Sequence, residues 1–140
     1  MANSPVNHLF VYGSLRKGFH SPVYEYISRY FHFIGEGKVK GQLFDLGSYP
    51  GAVPVKSDSF IMGELYQIKN ESEFSWAIAQ LDDYEGLDAE AGEESLYRRE
   101  LADIFINNEI VASWIYWYNG DVTGSPVIAS GDLLDYLKHK

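Results

Sequence analysis

The chain has 140 residues, 46% of them hydrophobic and 16% aromatic, so it can bury a core as a single domain, residues 1–140, and disorder is excluded. Aspartate and glutamate number 20 against 11 lysines and arginines, and the net charge of -9 excludes nucleic acid as a natural partner. The absence of cysteine excludes thiolate nucleophiles, iron–sulfur ligation and disulfide frameworks.

The opening residues contain no basic patch followed by an apolar stretch, and no later apolar run approaches membrane-spanning length. These features predict a cytoplasmic protein that has no membrane partner. The size of the chain is compatible with a monomer.

The first half of the chain predicts one strand, one helix and then several short strands. His8 to Tyr12 is apolar and β-prone and stops at Gly13. Ser21 followed by Pro22 is typical of a helix start, and the helix is predicted to continue to about Phe33. Glycine-punctuated β-prone runs then predict a curved sheet, with strands at Lys38 to Leu46, Ala52 to Val55 and Phe60 to Ile68. Between the first two, Gly51 is interpreted as a turn glycine with a positive φ.

The clearest helix is predicted to begin at Asn70, where Glu73 three residues later completes a capping-box-like start, and to end at Gly86. Spacings of four, three and four residues place four side chains on one face of this helix: Phe74, Ile78, Leu81 and Glu85. The apolar stripe that docks the helix therefore ends in a carboxyl group.

Glu85 is predicted to point inward in the last turn, where burial and the partial negative charge of the helix end both favour its protonated form. Both effects raise its proton affinity toward the range useful for proton transfer near neutral pH. Asp82 and Asp83 project from other faces of the helix. From these residues alone, the alternative is a carboxylate at the helix edge that pairs with Arg98 or Arg99.

Two strands are predicted next, Tyr97 to Ile106 and Glu109 to Tyr118, joined at Asn107-Asn108 by a tight hairpin turn. The second strand is apolar on both faces from Trp114 onward, which predicts a central position. Ser130 to Asp132 is predicted to cap a short C-terminal helix.

The segment after the first strand, Tyr12-Gly13-Ser14-Leu15, is a candidate site for holding an anion or a substrate oxygen. Backbone N–H groups of a glycine-containing turn can point outward together, and glycine permits close approach of a ligand. An ordinary turn remains the alternative from local sequence. The four histidines are scattered in the sequence and form no cluster with metal-ligand spacing. Ser14 does not lie in a Gly-x-Ser-x-Gly motif, the nucleophile elbow of serine hydrolases. Tyr116 and Tyr118 share one face of their strand, where they either line a pocket or belong to the core.

In their order and spacing, these segments resemble the gamma-glutamylcyclotransferase-like family, including its gamma-glutamylamine cyclotransferase and AIG2-like branches. The resemblance covers nearly the whole chain and rests on these motifs: Tyr12-Gly13-Ser14-Leu15, Gly51 after Tyr-Pro, Gly63-Glu64-Leu65-Tyr66, Leu81-Asp82-Asp83-Tyr84-Glu85-Gly86, Tyr97-Arg98-Arg99 and Ser130-Gly131-Asp132. It implies an α+β fold, a small, partly closed, mostly antiparallel β-barrel flanked by helices. Arg16-Lys17-Gly18 looks like the gamma-glutamylamine branch.

The resemblance also implies an activity, the release of 5-oxoproline from a gamma-glutamyl amine or peptide by intramolecular aminolysis. It implies Glu85 as general acid/base and a substrate site at Tyr12, Gly13, Ser14 and Leu15, to which we add Tyr118. No cofactor and no metal are implied, and the expected partner is a small gamma-glutamyl substrate. The alternative is a catalytically silent small-molecule-binding or interaction module on the same scaffold.

The stretch from Leu87 to Ser95 carries four acids, Asp88, Glu90, Glu93 and Glu94. A solvated surface loop is the simpler interpretation. If the loop borders the pocket mouth, its negative field favours leaving groups that carry extra positive charge.

Overall fold

The computed structural model describes residues 7–12, 22–46, 50–55, 59–84, 97–133 and 136. The described part of the chain contains two helices and seven strands. In chain order they are β1 (His8–Val11), α1 (Pro22–Tyr30), β2 (Phe31–Asp45), β3 (Pro50–Pro54), β4 (Phe60–Ile68), α2 (Phe74–Tyr84), β5 (Tyr97–Ile106), β6 (Glu109–Tyr118) and β7 (Val127–Ile128).

Five strands close into a barrel in the order β2, β4, β1, β6, β5, because β5 pairs back with β2. The pairing of β1 with β6 is parallel, whereas β4 pairs antiparallel with both β1 and β2. The far end of β2 extends beyond the barrel and pairs antiparallel with β3 and with β7. The predicted α+β class, a mostly antiparallel barrel flanked by helices, is confirmed.

The barrel interior is filled by apolar side chains, because every second residue of a strand points inward. Each of the five barrel strands contributes at least one fully or nearly fully buried residue to this cluster, including Phe10, Val39, Leu65, Ile104 and Ile115. This interior core stabilises the barrel, and the other elements pack on it.

A second core lies on the outer face of the barrel, where the two helices pack. Strand residues Leu9, Val11, Tyr66 and Tyr116 share it with Ile27 of α1 and with Ala77, Ile78 and Leu81 of α2. Ile78 and Leu81 are buried, as the register of the predicted helix requires, and Phe74 packs against the same cluster. Neither helix in the described ranges is long and apolar enough to cross a membrane.

The first helix is shorter than predicted. It ends at Tyr30, and Phe31 already pairs with Ile68 as the first residue of β2. The aromatic and β-branched residues after Tyr30 favour a strand, but no glycine or proline separates them from the helix, so the sequence does not mark this boundary. A register shift between Phe33 and Gly35 then marks a β-bulge in the pairing of β2 with β4, and a bulge of this kind bends the strand.

The prediction of a turn at Gly51 is wrong, since this glycine lies buried inside β3 opposite Phe44. A Cβ at Gly51 would stand 3.2 Å from the Tyr118 ring, so the glycine makes room for an aromatic side chain. The Asn70 cap is confirmed in modified form. Its side chain accepts from the Ser72 N–H, and a 3-10 turn, Glu71–Glu73, precedes α2.

The second hairpin is confirmed. β5 and β6 pair from Tyr97 with Tyr118 to Ile106 with Glu109, and Asn107 and Asn108 adopt φ values of 50° and 64° in the turn. At the C-terminal cap, the Asp132 N–H donates to the Ser130 hydroxyl, and the Tyr136 N–H donates to the Asp132 carbonyl as in a helix.

Candidate functional site

The site predicted from sequence falls at one end of the barrel. β1 and β6 run parallel, with Leu9 beside Trp114, so the carboxyl ends of both strands lie at the same end. Tyr12 directly follows β1, and Tyr118 is the last residue of β6. The topology therefore brings together two of the predicted substrate-binding residues.

Tyr12 is held at this end by its own hydroxyl group. Its side chain is buried in the barrel interior, and the hydroxyl donates a hydrogen bond to the main-chain carbonyl oxygen of Tyr116. The bond crosses from the end of β1 to β6 and fixes where the Tyr12 to Leu15 segment begins.

Glu64 is a second functional candidate at the same end, and its local sequence does not predict a role for it beyond membership of the Gly63-Glu64-Leu65-Tyr66 motif. Its side chain is only 2% exposed, and it lies opposite Val11, the last residue of β1. The Tyr66 hydroxyl donates to its Oε1 at 2.9 Å. One signal was available: Glu64 is a carboxylic acid inside an otherwise apolar strand run.

Gly63 sets how closely β1 and β4 approach beside this carboxyl group. A Cβ at position 63 would overlap the Val11 carbonyl oxygen and stand 2.5 Å from the Phe10 ring. Only glycine fits here without a shift of the backbone. The end of β1 is therefore fixed on both sides, by the Tyr12 bond to β6 and by this close contact with β4.

Tyr118 is half-buried among small residues and aromatic rings. Its ring meets that of Tyr97 edge-on at 5.7 Å, and a Cβ on Gly120 would stand 2.6 Å from its hydroxyl oxygen. The Arg98 guanidinium donates to the Tyr118 carbonyl oxygen at 3.3 Å. Tyr118 thus has a defined orientation at the end of β6.

Four predicted site residues, Gly13, Ser14, Leu15 and Glu85, lie outside the described residues. The elements that lead to them are described. β1 and Tyr12 lead into the first three, and α2 ends at Tyr84, immediately before Glu85. The proposed roles of all four stay predictions.

The two arginines considered as alternative partners for Glu85 make contacts within their own hairpin. Arg98 forms an ion pair with Glu100 at 3.3 Å, and both side chains are substantially exposed. The Arg99 guanidinium lies over the Trp114 ring at 4.4 Å. Both arginines therefore have partners within the hairpin itself.

An open cavity of about 280 Å³ lies where β2 approaches β5, and Gly63 of β4 also lines it. Its lining includes Glu36, Lys38, Asn107 and Asp132, but neither Tyr12 nor Tyr118. Within the described ranges, no group of three or more histidines, aspartates or glutamates could hold a metal ion. The described candidate site is thus the end of the barrel formed by β1, β4 and β6.

A family model and a curated relative both place the chain in one family. The family model described as "Gamma-glutamyl cyclotransferase, AIG2-like" matches residues 9–135. The chain is 35% identical over 128 residues to the gamma-glutamylcyclotransferase family protein YtfP of Escherichia coli strain K12, a match that covers 91% of this chain and 96% of that protein.

Solved structures agree. The solution NMR structure of ytfP from Escherichia coli superposes with a TM-score of 0.62 at 32% identity, covering 92% of this chain and 97% of that one. The crystal structure of an aig2-like protein from Mus musculus gives a TM-score of 0.60 at 22% identity, covering 83% of this chain and 79% of that one. At that lower identity the likeness concerns the fold.

Proposed function

Because the chain belongs to the gamma-glutamyl cyclotransferase, AIG2-like family, we propose that it closes a gamma-glutamyl group to 5-oxoproline and releases the attached amine or peptide. The observation that carries the proposal is that β1, which leads into Tyr12, and β6, which ends at Tyr118, run parallel to one end of the barrel, where the buried carboxyl of Glu64 also lies. At this end β1 stops, and the predicted substrate-holding segment continues from it.

In the proposed reaction, the free α-amine of the gamma-glutamyl group attacks the gamma-carbonyl carbon of the same group. A new C–N bond closes the five-membered ring, and the bond from that carbon to the leaving nitrogen breaks. The α-amine loses a proton and the leaving nitrogen gains one, so one positioned carboxyl group serves both steps. Glu85 is the residue that we propose for this role.

The position of α2 supports this assignment. Ala77, Ile78 and Leu81 dock the helix on the barrel face that also carries Val11 and Tyr116. The helix backbone ends at Tyr84, so Glu85 is the next residue along the chain. We infer from the helix register that its carboxyl group continues the stripe formed by Ile78 and Leu81.

The remaining chemical need is to hold the substrate and to stabilise the oxyanion that develops on its gamma-carbonyl. We assign these tasks to backbone N–H groups from Gly13 to Leu15, with Tyr118 as a wall of the pocket. The fixed position of Tyr12 supports this assignment, because it defines the point from which the chain continues into Gly13.

The test is to incubate the protein with a panel of gamma-glutamyl amines, peptides and isopeptides and to measure 5-oxoproline by mass spectrometry. Release of 5-oxoproline from one class of compounds supports the proposal and identifies the leaving group. Binding of 5-oxoproline without release from any of them would instead support the silent binding module.

A further inference from the structure

The cavity where β2 approaches β5 is lined by residues from three strands and one later segment. β2 contributes Glu36 and Lys38, β4 contributes Met62, β5 contributes Phe105, and Asp132 comes from the C-terminal part of the chain. Its volume of about 280 Å³ is just below the range of about 300–1,000 Å³ that is typical of small-molecule sites. The cavity is therefore large enough for a small metabolite, though not for a macromolecular segment.

Glu36 and Lys38 place opposite charges on one face of β2. Val39 points into the barrel interior, so the side chains at positions 36 and 38 lie on the outer face, with their Cα atoms about 6.5 Å apart. Among the described residues, the two form no ion pair with each other, and the Lys38 ammonium lies over the Phe60 ring at 4.4 Å from its centroid. Both charges are therefore available to a ligand that carries the opposite pair.

The surroundings of the Lys38 side chain are apolar. Its register partners are Met62 on β4 and Phe105 on β5, and paired residues of neighbouring strands share a face of the sheet. The Phe60 ring, which lies under the ammonium, meets the Phe105 ring edge-on at 5.8 Å. A ring face attracts the cation, and the three N–H donors of an ammonium still permit a hydrogen bond to a ligand.

The charges of the lining select the class of ligand. A simple anion is disfavoured, because Glu36 and Asp132 contribute two carboxylates and the whole chain has a net charge of -9. A simple cation is disfavoured by the ammonium of Lys38. A molecule with a carboxylate next to an ammonium matches both charges on β2, and its remaining part can pack on the apolar side chains of Met62 and Phe105.

We propose that this cavity binds a free α-amino acid with an apolar side chain. The α-carboxylate accepts a hydrogen bond from Lys38, the α-ammonium donates to Glu36, and the side chain packs on Met62 and Phe105. This site is separate from the end of the barrel to which we assign catalysis, and the inference does not depend on the proposed function.

The test is an NMR titration of the ¹⁵N-labelled protein with norleucine and with three relatives that each lack one feature. Hexanoate lacks the ammonium, pentylamine lacks the carboxylate, and alanine lacks most of the side chain. Lys38→Met and Glu36→Gln each remove one charge from the cavity. Lys40→Met and Asp103→Asn are the matched controls, because they remove the same charges from exposed residues that do not line this cavity.

Norleucine is expected to shift the backbone amides of residues 36–38, 62 and 105–107 in a saturable way, with a Kd of about 1 mM or lower. The amides of Tyr12 and Tyr118 should not shift. Each relative should bind at least about tenfold more weakly. Lys38→Met and Glu36→Gln should each weaken norleucine binding by about tenfold, the size of one lost charge-assisted hydrogen bond, and both control variants should match wild type.

The absence of saturable shifts at these amides up to about 10 mM norleucine overturns the proposal. Equal affinity for hexanoate, pentylamine or alanine overturns it too, because the missing feature would then not be recognised. Shifts confined to Tyr12 and Tyr118 would place the amino acid at the other site and have the same consequence. If Lys38→Met does not fold, Glu36→Gln and the three relatives decide. Failure of the proposed function would change none of these outcomes, because they measure the binding of norleucine itself.

Discussion

The hydroxyl group of Tyr12 and the main-chain carbonyl of Tyr116 form a buried hydrogen bond that joins the end of β1 to β6. The two strands run parallel, with Leu9 beside Trp114. The Tyr12 side chain, which follows the last residue of β1, therefore adds a hydrogen bond to the backbone pairing of β1 with β6. The segment with the proposed substrate-holding backbone starts from this connection.

Tyr12→Phe is expected to lower the free energy of unfolding by about 1–3 kcal/mol, because it leaves the buried Tyr116 carbonyl without this donor. Urea denaturation measures the change. Tyr26→Phe is the matched control, since the Tyr26 hydroxyl donates to the Ala77 carbonyl at 3.3 Å from a half-buried position and its loss should cost less than about 1 kcal/mol. Equal losses in the two variants would contradict the special role of the Tyr12 bond.

Glu85→Gln is expected to reduce 5-oxoproline release by a factor of about 10² to 10⁴, since an amide has a similar volume but exchanges no proton. The melting temperature and the affinity for 5-oxoproline should change little. Asp83→Asn makes the same chemical change two residues earlier in the chain, and it should keep wild-type turnover because the helix register predicts another face for Asp83. Near-normal release by Glu85→Gln would refute the mechanism.

The acidic stretch after Glu85 predicts a preference for cationic leaving groups such as lysine, polyamine or aminoglycoside amines. The variant in which Asp88, Glu90, Glu93 and Glu94 become amides should lose this preference, and added salt should weaken it in wild type. The measurement is kcat/KM for cationic and neutral gamma-glutamyl amines at low and high salt. A preference that survives both changes would show that the loop does not cause it.

Gly63→Ala is expected to destabilise the protein by about 1–3 kcal/mol, because the added methyl overlaps the Val11 carbonyl oxygen and the backbone must shift. Gly35→Ala is the control within the same barrel. There the nearest atom is the end of the flexible Ile106 side chain, at 3.0 Å, so a smaller loss is expected. Thermal and urea unfolding give both values, and a larger loss for Gly35→Ala would reverse this ranking.

The stability of the protein should fall when the pH drops below the ordinary histidine pKa of 6.5. Burial, and then the nearby charge of His32, lower the pKa of His8 in the folded protein. Between 6.5 and the lowered pKa, the unfolded chain binds more protons than the folded one, so stability decreases as pH falls and levels off below the lowered value. NMR titration should show the His8 pKa rising in His32→Gln while remaining below 6.5. An unchanged His8 pKa would exclude the contribution of His32.

Much of the barrel was predictable because its signals are local. β4, β5, β6 and the Asn107-Asn108 turn match the predicted bounds, since alternating apolar residues and turn residues act over a few positions. Two aspects depended on tertiary contacts. Phe31 belongs to β2 because it pairs with Ile68 of β4. The two-residue strand β7 is defined by its pairing with β2.

The candidate site was predictable in part. The sequence placed Tyr12 at the end of a strand and Tyr118 at the end of another, but nothing local says that these two ends meet. That follows from the parallel pairing of β1 with β6, which is a property of the whole sheet. The burial of Glu64 was not predictable for the same reason, because it depends on which elements cover the outer face of β4.

The central position of β1 has a consequence for how the protein forms. Leu9 pairs with Tyr66 on one side and with Trp114 on the other, so β1 has one neighbour, β6, that is far from it in the sequence. Such distant contacts are slow to form because chain entropy is lost before they contribute, and refolding on the order of milliseconds to seconds is typical. During synthesis, the barrel can close only after β6 has emerged.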